Sequence, residues 1–367
     1  MNICQIITPS KIAGAERSTT SLCEHLQAAG HRVVVGCKSG SPLIAAMREV
    51  GLDARPLPIS GKLNFRASGA IVALAREMSA AVIHTQLSTA AIHGSIAARR
   101  LGLPSIAHVR ALNSPFCYRF ATRVIAVSHA VKEHLVKGGL PAERIDVVYN
   151  AVDPGRYFLP CNRDEARRRL GLPDGVPLVG VIAHLTAKKG HSVFLDAFAA
   201  VAAQHPHARA LFLGDGPENE ALHAQAKQLG LADRVIFAGF QADVLPYYAA
   251  LDVVVLPSTE GEGLPRALLE GGLLRRATIG TRLSGVPEIV LDEKTGFVVP
   301  VADAPALAGR LDTLLADASL RERMGEAAHD YVAATFTVDA MISGTLASYQ
   351  KAGVRDIRSA SSVANGR

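Results

Sequence analysis

Aromatic side chains and cysteines are scarce in this 367-residue chain. Phe, Tyr and Trp together make up 5% of the residues and are not interleaved with basic residues. The stacking platforms that bind single-stranded nucleic acid are therefore not evident, and we expect no nucleic-acid partner. The five cysteines are odd in number and contain no Cys-x-x-Cys pair, which favours buried reduced thiols over disulfides or a metal site.

Long apolar runs are also missing from the sequence. No run reaches the roughly 18 residues that a membrane span requires. The first residues, MNICQIITPSK, lack a basic region followed by an apolar one, so we expect no secretion signal. These two absences predict a cytosolic protein.

Length and glycine content indicate the class of fold. At 367 residues the chain is long for one domain and sufficient for two. It is 49% hydrophobic and contains 32 glycines. This composition is typical of a globular α/β protein with many tight turns between strands and helices.

Charge is unevenly distributed along the chain. Residues 1–160 hold 18 Lys and Arg against 9 Asp and Glu, whereas residues 161–367 hold 21 against 24. A basic first half favours an anionic partner, for which an anionic membrane surface or a phosphorylated glycolipid is the best fit. Ordinary solubility charge is the alternative interpretation.

Short apolar segments alternate with helical segments through both halves of the sequence. Such alternation predicts right-handed βαβ units and parallel sheets. We expect a first domain over residues 1–155, completed by a C-terminal helix at about 337–350, and a second domain over residues 156–336. The Pro- and Arg-rich linker at about 154–173 is expected to be exposed, and residues 352–367 are expected to form a disordered tail.

One strand, turn and helix near the centre of the second half carries two glutamates. Residues 251–256 (LDVVVL) read as a buried strand, and the helical pattern starts at about Pro265. Glu262 lies just before this helix and Glu270 lies within it. Because ligands bind at the carboxyl ends of parallel strands, and helix N-termini favour anions, the turn predicts a site for an anionic ligand. A solvated acidic surface turn is equally compatible with the two glutamates alone.

Glu262 and Glu270, with seven residues between them, resemble the paired-glutamate motif of the retaining glycosyltransferases of family four. Other segments similar to this family recur in order from Ala13 to Tyr349, and the ordered set is more specific than any one motif. The resemblance implies the GT-B fold, in which two Rossmann-like domains with parallel sheets face each other across a cleft. It also implies a nucleotide-diphosphate sugar as donor.

The chain departs from the family pattern at a few positions. Ala13 replaces the first glycine of a Gly-Gly-x-Glu turn, and His184 stands where an arginine is usual. Arg275 and Ala277 replace a glycine and a proline after the paired-glutamate helix. In the family, the arginine at the position of His184 binds the donor diphosphate. This contact is the one that the differences put in question.

The resemblance also assigns roles to individual residues. It implies a catalytic set of Glu262, Lys189 and His108, although a lone histidine is more often structural; His84 is a weaker candidate. The first glutamate would touch the sugar and the second would bind the ribose hydroxyls. The implied donor-binding set is Gly14, His184, Lys189, Gly214, Gly239, Phe240, Gly263, Leu264, Arg266, Ala267 and Glu270.

The resulting expectation is a retaining glycosyltransferase. It would transfer a sugar, preferably from a UDP-sugar, to a glycan or lipid-linked acceptor in bacterial lipopolysaccharide or surface polysaccharide synthesis. The sequence has no Asp-x-Asp motif, so we expect neither a metal nor another cofactor. The partners would be the donor, the acceptor and an anionic membrane touched peripherally from the cytoplasmic side.

Two alternatives belong to other functional classes. A dinucleotide-dependent oxidoreductase would carry the motif Gly-x-Gly-x-x-Gly after its first strand. Neither the turn at Gly14 nor residues 214–219 have that spacing. A non-catalytic protein that binds a sugar nucleotide or polysaccharide would keep the fold and tolerate the departures from the motifs. Transfer or hydrolysis of a radiolabelled donor separates these alternatives.

Overall fold

The computed structural model describes residues 1–8, 14–62, 64–159 and 161–354. Within these residues the chain forms thirteen β-strands and fourteen α-helices in nearly regular alternation. The strands are β1 (Asn2–Ile7), β2 (Arg32–Lys38), β3 (Asp53–Leu57), β4 (Val82–Gln86), β5 (Ser105–Val109), β6 (Arg123–Ala126), β7 (Ile145–Val147), β8 (Leu178–Ile182), β9 (Arg209–Leu213), β10 (Val235–Gly239), β11 (Val253–Leu256), β12 (Ala277–Thr281) and β13 (Gly296–Val299).

Most helices follow a strand directly, as the sequence pattern predicts. The helices are α1 (Gly14–Ala28), α2 (Leu43–Glu49), α3 (Phe65–Glu77), α4 (Leu87–Leu101), α5 (His129–Lys137), α6 (Arg163–Leu170), α7 (His191–Val201), α8 (Asn219–Gln228), α9 (Leu245–Ala250), α10 (Arg266–Leu273), α11 (Val286–Ile289), α12 (Ala304–Ala316), α13 (Ala318–Thr335) and α14 (Val338–Lys351).

The chain divides into two compact units. The first unit comprises Met1–Ala151 together with the C-terminal segment from Val338, and the second comprises Val152–Thr337. Each unit has one open sheet whose strand pairs are all parallel. The prediction of an α/β protein with parallel sheets is therefore confirmed.

The first unit contains a seven-stranded sheet in the order β3-β2-β1-β4-β5-β6-β7. On one face, apolar residues of the central strands pack with α1, α2 and α14. Helix α14 contributes Met341, Ile342, Leu346 and Tyr349 to this core. The last helix of the chain is therefore an integral part of the first unit.

The second unit contains a six-stranded sheet in the order β10-β9-β8-β11-β12-β13. The main core lies between this sheet and helices α7, α8, α12 and α13, with the stacked rings of Phe194 and Phe198 among its largest members. A smaller core on the other face packs α6 and α9 against the strands. The strand sequence reverses between β8 and β11, which is the topological switch point of this sheet.

The prediction that residues 154–173 form an exposed linker is wrong in its second half. Residues 163–170 form α6, and the side chain of Arg167 is only 2% exposed. Its guanidinium pairs with the carboxylate of Asp252 at 2.7 Å and donates hydrogen bonds to the carbonyl oxygens of Ala250 and Val176. Paired in this way, an arginine can be buried, and α6 is fixed to the second unit.

The cysteines are all free thiols, as expected from their number and spacing. Four are buried, and Cys161 is half-buried. Burial raises the pKa of Cys4 and of Cys37 to about 12.

None of the described helices has both the length and the apolarity needed to cross a bilayer. The predicted disordered tail begins too early, because Val354 is buried and its N–H donates to the carbonyl oxygen of Tyr349 at 3.0 Å. Residues 355–367 lie outside the described residues.

Candidate active site

The turns after β8 and β11 meet at the switch point of the second unit. Lys188 in the first turn accepts hydrogen bonds at its carbonyl oxygen from the backbone N–H of Thr259 (2.8 Å) and of Glu260 (3.4 Å) in the second. Gly190 has φ +67°, and a Cβ atom there would lie 1.9 Å from the carbonyl oxygen of Pro257. Glycine is therefore required at this position because of both its conformation and the close backbone approach.

This contact between turns brings two of the predicted catalytic residues together. The ammonium group of Lys189 forms an ion pair with Glu262 and donates a hydrogen bond to its Oε1. The hydroxyl of Ser258 donates to the same carboxylate oxygen at 2.6 Å. The side chain of Glu262 is buried and that of Lys189 is 22% exposed. Thr281 fixes the turn further by donating to the carbonyl oxygen of Ser258 at 2.6 Å. A cation and a carboxylate thus share a rigid, partly desolvated position at the carboxyl edge of the sheet.

The turns after β9 and β10 are hydrogen-bonded to the same edge. A Cβ atom at Gly214 would lie 2.1 Å from the carbonyl oxygen of Ala183, so this glycine allows the turn after β9 to contact the turn after β8. The N–H of Gly214 donates to the carbonyl oxygen of Gly239 at 2.9 Å. Phe240, which follows Gly239, is 66% exposed. A planar apolar surface therefore stands at the end of β10, where the resemblance implies a contact with the nucleotide base.

Glu270 lies on α10 within a separate cluster of polar side chains. Its carboxylate accepts hydrogen bonds from the hydroxyls of Tyr157 (3.0 Å) and Tyr248 (3.1 Å), and it pairs with Arg266 at 3.1 Å. Arg266 also donates to the hydroxyl oxygen of Tyr157 at 2.6 Å. Burial and the charge of Glu270 raise the pKa of Tyr248 well above its ordinary value, so this phenol stays protonated and donates. No sequence motif pointed to the two tyrosines, which belong to a loop before α6 and to α9.

Two helices begin at this edge without a capping side chain. Helix α7 starts after Gly190 and α10 starts after Pro265, and neither residue supplies a side-chain hydrogen bond to the first turn. Backbone N–H groups at such helix starts favour anions. Gly263 and Leu264 lie buried in the turn before α10, with Ala267 half-buried in its first turn. The geometry of the second unit therefore suits a negatively charged ligand.

Two histidines lie close to Lys189. His184 is exposed on the turn after β8, and His191 is buried at the start of α7 against the ring of Phe212, at a centroid distance of 4.9 Å. Burial, together with the nearby charge of Lys189, lowers the pKa of His191 to about 4. His191 is therefore neutral at physiological pH. His184, on the turn after β8, is the more accessible of the two.

His108 lies near the carboxyl end of β5 in the first unit and is 2% exposed. Its ring stacks on that of His84 with centroids 5.4 Å apart, and His84 forms a 2.7 Å hydrogen bond with the hydroxyl of Tyr349 on α14. Neither ring nitrogen of His108 has a hydrogen-bond partner within the described part of the chain. Burial and the charge of Arg110 lower the pKa of both histidines, that of His84 to about 3.

Arg110 is a buried cation of the first unit that motif comparison missed. Its guanidinium donates to the side-chain oxygen of Gln86 at 2.8 Å and to that of Asn150. Gln86 ends β4, the neighbour of β1, so Arg110 lies beside the switch point of the first sheet. A charged residue directly after β5, the strand that carries His108, was the signal in the sequence. Gly14 is the exposed first residue of α1, whereas Ala13 lies outside the described residues.

Two family models match adjacent parts of this chain. "Glycosyltransferase Family 4" matches residues 12–156, and "Glycosyl transferases group 1" matches residues 162–331, so that together they include most of the sequence. The chain belongs to these glycosyltransferases. The predicted family and its GT-B fold of two Rossmann-like domains are therefore confirmed.

Individual proteins support the same assignment. The chain is 32% identical to the lipopolysaccharide core biosynthesis glycosyltransferase LpsE of Rhizobium meliloti, over 49% of this chain and 52% of that protein. It is also 32% identical to the alpha-D-kanosaminyltransferase of Streptomyces kanamyceticus, over 64% of this chain and 62% of that protein. The chain thus spans about half to three fifths of the length of these curated relatives.

A solved glycosyltransferase structure is similar over nearly the whole length. The crystal structure of Anabaena HepE in complex with UDP-glucose has a TM-score of 0.85 and 25% sequence identity, covering 95% of this chain and 100% of that chain. The glycosyltransferase fold therefore extends over both units described above.

The predicted site residues of this glycosyltransferase fall into three groups. Lys189 and Glu262 are in direct contact, with Gly214 and Gly239 on the adjoining turns. Glu270 and Arg266 contact each other in the second group. Gly14 and His108 form the third group and belong to the first unit. Among the described residues no cluster of three His, Cys, Asp or Glu side chains could hold a metal ion.

Proposed function

We propose that this glycosyltransferase transfers a sugar from a nucleotide-diphosphate sugar, preferably a UDP-sugar, to a glycan or lipid-linked acceptor, with retention of the anomeric configuration. The observation that carries the proposal is the Lys189–Glu262 pair between two uncapped helix starts at the switch point. UDP is preferred because HepE was solved with UDP-glucose. An acceptor in lipopolysaccharide or surface polysaccharide synthesis is preferred because LpsE is a lipopolysaccharide core enzyme.

Charge neutralisation of the leaving group is the main task of this site. The ammonium group of Lys189, with backbone N–H groups at the starts of α7 and α10, would stabilise the negative charge that develops on the diphosphate. His184 could add one hydrogen bond as a neutral imidazole. In this proposal no metal ion takes part. Lys189 would exchange part of its contact with Glu262 for the diphosphate when the donor binds.

The bond changes follow from retention on a single face of the sugar. The bond between the anomeric carbon and the diphosphate oxygen breaks, and the acceptor hydroxyl oxygen forms its bond to that carbon from the same side. The departing phosphate oxygen takes the acceptor's proton, so the nucleoside diphosphate leaves and no separate base is required. In this scheme Glu262 and His108 would contact the transferred sugar.

Glu270 would bind the ribose hydroxyls, and Phe240 would contact the base. Glu270 already accepts hydrogen bonds from Tyr157, Tyr248 and Arg266, so a ribose would compete with one of them. Tyr157 is the best candidate for displacement because it is half-buried, whereas Tyr248 is completely buried. This competition would link donor binding to the segment that begins the second unit.

A screen of nucleotide sugars tests the proposal. The thermal midpoint of the protein should rise with UDP and UDP-sugars, and by less with GDP- and ADP-sugars, because a ligand that binds only the folded state stabilises it. Radiolabelled donor should then be consumed in the presence of bacterial glycolipid acceptors. Absence of any nucleotide-dependent stabilisation would overturn the proposal. Binding without transfer or hydrolysis would favour the non-catalytic alternative.

We also propose that the protein works at the cytoplasmic face of the plasma membrane, in peripheral contact with anionic lipid. The support is the basic first half of the chain and an exposed patch in the first unit. In this patch Phe116 and Phe120 are 59% and 58% exposed, and the guanidinium of Arg119 lies 5.2 Å and 5.7 Å from their ring centroids. Binding to phosphatidylglycerol vesicles should be lost at high salt. Equal binding to neutral vesicles would refute this proposal.

A further inference from the structure

The first unit contains an open pocket with a volume of 690 Å³ at the carboxyl ends of β2 and β3. It is lined by Lys38 at the end of β2 with Ser39 after it, by residues 58–60 after β3, and by Asn64 and Arg66 at the start of α3. None of these positions belongs to the site residues considered above. All of the lining residues belong to the first unit, whereas Lys189 and Glu262 belong to the second.

The chemistry of the lining favours an anionic ligand. Among the described residues of the lining, the charged ones are Lys38 and Arg66, and both are positive. The hydroxyls of Ser39 and Ser60 add hydrogen-bonding groups, and the buried side chain of Ile59 adds an apolar surface. A guanidinium, an ammonium and hydroxyls together match a phosphate or carboxylate carried on a polar molecule.

Hydrogen bonds hold the walls of the pocket in place. The side-chain amide of Asn64 donates to the carbonyl oxygen of Pro58 at 2.7 Å and to the hydroxyl of Ser60 at 2.9 Å. Ser39 donates to the carbonyl oxygen of Leu57 both from its N–H and from its hydroxyl, each at 2.9 Å. Walls that are already ordered reduce the entropy lost on binding.

Two further contacts fix the loop and the start of α3. The carbonyl oxygen of Gly61 forms a 2.7 Å hydrogen bond with the ring of His93 on α4. Asn64 Oδ1 accepts the backbone N–H of Arg66 at 3.1 Å and so caps the thirteen-residue helix α3. The positive end of this helix dipole adds to the charge of Arg66 and Lys38.

The position of the pocket connects it to the reaction. The sheet order β3-β2-β1-β4 places β2 two strands from β4, or about 10 Å from it at the usual strand spacing. His108 lies on β5, the next strand along. Ligands of open α/β sheets bind along this carboxyl edge. A sugar chain lying along the edge could extend from the region of His108 to the pocket.

We propose that Lys38 and Arg66 bind a phosphate or carboxylate group of the acceptor saccharide. The pocket thereby selects acceptors that carry such a group at a distance from the hydroxyl that receives the sugar. This inference rests on the proposed function, because it assigns the acceptor to the first unit. The nucleotide donor has its own cations in the second unit.

The test compares small sugars that differ only in the anionic group. Isothermal titration of the full chain with glucose 6-phosphate, glucuronate and glucose should give binding for the first two and much weaker binding for glucose. The double variant Lys38→Gln/Arg66→Gln should bind glucose 6-phosphate about tenfold to a hundredfold more weakly, since two charge-assisted hydrogen bonds are lost. The matched control is Arg76→Gln/Lys137→Gln, which removes two exposed cations of the first unit, one of them from the same helix.

The outcomes separate the pocket from the proposed function. UDP should stabilise the double variant as much as the unaltered protein, because its site lies in the second unit. If UDP fails to stabilise the unaltered protein, the proposed function fails whatever the pocket does. If UDP binds but the double variant holds glucose 6-phosphate as tightly as the control, the pocket inference alone is overturned. Binding of phosphatidylglycerol vesicles through Lys38 and Arg66 without binding of either anionic sugar would overturn it as well.

Discussion

Lys189 and Glu262 form an ion pair although they are 73 positions apart in sequence. One follows β8 and the other follows β11, the two strands on either side of the switch point. The hydroxyl of Ser258 donates to the same carboxylate oxygen, so Glu262 keeps one partner if Lys189 moves. This arrangement makes the cation available to a ligand while the carboxylate stays hydrogen-bonded.

Replacing Lys189 by methionine should lower the transfer rate about 10²- to 10³-fold, because a preorganised group at the leaving diphosphate is lost. It should also destabilise the second unit by about 1–3 kcal/mol, since the buried Glu262 loses its counter-charge. The rate is measured with radiolabelled donor, and stability by urea unfolding followed by circular dichroism. Glu262→Gln should reduce transfer to a similar extent.

Lys188→Met is the matched control for this prediction. Lys188 lies in the same turn with an exposed side chain, and the other turn is bonded to its backbone carbonyl. The control should keep nearly full activity and stability. A folded Lys189→Met protein with near-normal turnover would remove Lys189 from the mechanism.

Tyr157→Phe should tighten UDP binding a few-fold, because one competitor for the carboxylate of Glu270 is removed. The same change should lower stability by about 1 kcal/mol through the loss of hydrogen bonds to Glu270 and Arg266. Both effects can be measured on one sample by titration calorimetry and urea unfolding. Tyr247→Phe, at a half-buried neighbouring tyrosine, is the control and should change neither quantity. Weaker UDP binding by Tyr157→Phe would mean that the hydroxyl helps to hold the nucleotide.

Acidification should destabilise the protein because buried histidines must stay neutral in the folded state. The pKa is lowered from 6.5 to about 3 for His84 and to about 4 for His191, chiefly by burial. The unfolded chain therefore binds more protons below pH 6.5, and stability falls as the pH drops from 6.5 towards these values. At pH 5.5 each histidine should cost about 1.4 kcal/mol relative to neutral pH.

His191→Phe isolates one part of this effect, since the ring already packs edge-on against Phe212. Between pH 7.5 and 5.5 the thermal midpoint of this variant should fall by about 3–6 °C less than that of the unaltered protein. The control His207→Phe changes an exposed histidine and should leave the slope unaltered. Parallel pH profiles for all three proteins would show that His191 does not titrate as described.

Asp146→Asn should loosen α14 from the sheet of the first unit. Burial alone would raise the pKa of Asp146, but hydrogen bonds from Arg123, Lys351 and Ser348 outweigh it and lower the pKa to about 2. Loss of this charged acceptor should reduce stability by about 1–3 kcal/mol. Hydrogen exchange should increase in α14 and β7 and remain unchanged in the second unit. Exchange that rises equally in both units would contradict the local effect, and Glu143→Gln, an exposed neighbour, is the control.

The sequence predicted the parallel sheets well because βα alternation is a local pattern with few solutions. The family resemblance, and not the pattern, implied a common site for Lys189 and Glu262; they meet because residues that follow neighbouring parallel strands share one edge. The sequence pattern did not predict the cluster around Glu270. Tyr157 and Tyr248 lie 113 and 22 residues from it, and no periodicity connects them.

Arg167 illustrates why the burial of some side chains could not be predicted from the sequence. The segment RDEARRRL, with three consecutive arginines, lies in the stretch predicted to be an exposed linker. One of them is nevertheless buried, because Asp252 and two backbone carbonyl groups lie where its guanidinium ends. The partner is 85 residues away, so only the folded structure distinguishes Arg167 from Arg168.

Helix α14 affects the order in which the two units can fold during synthesis. A ribosome completes residues 152–337 before it makes the helix that supplies Met341, Ile342, Leu346 and Tyr349 to the earlier unit. The part of the first unit that is synthesised first therefore has to wait until α14 has been made before its core can close. During that interval the nascent chain would expose the apolar face that α14 later covers, which is the stage at which a chaperone would be most needed.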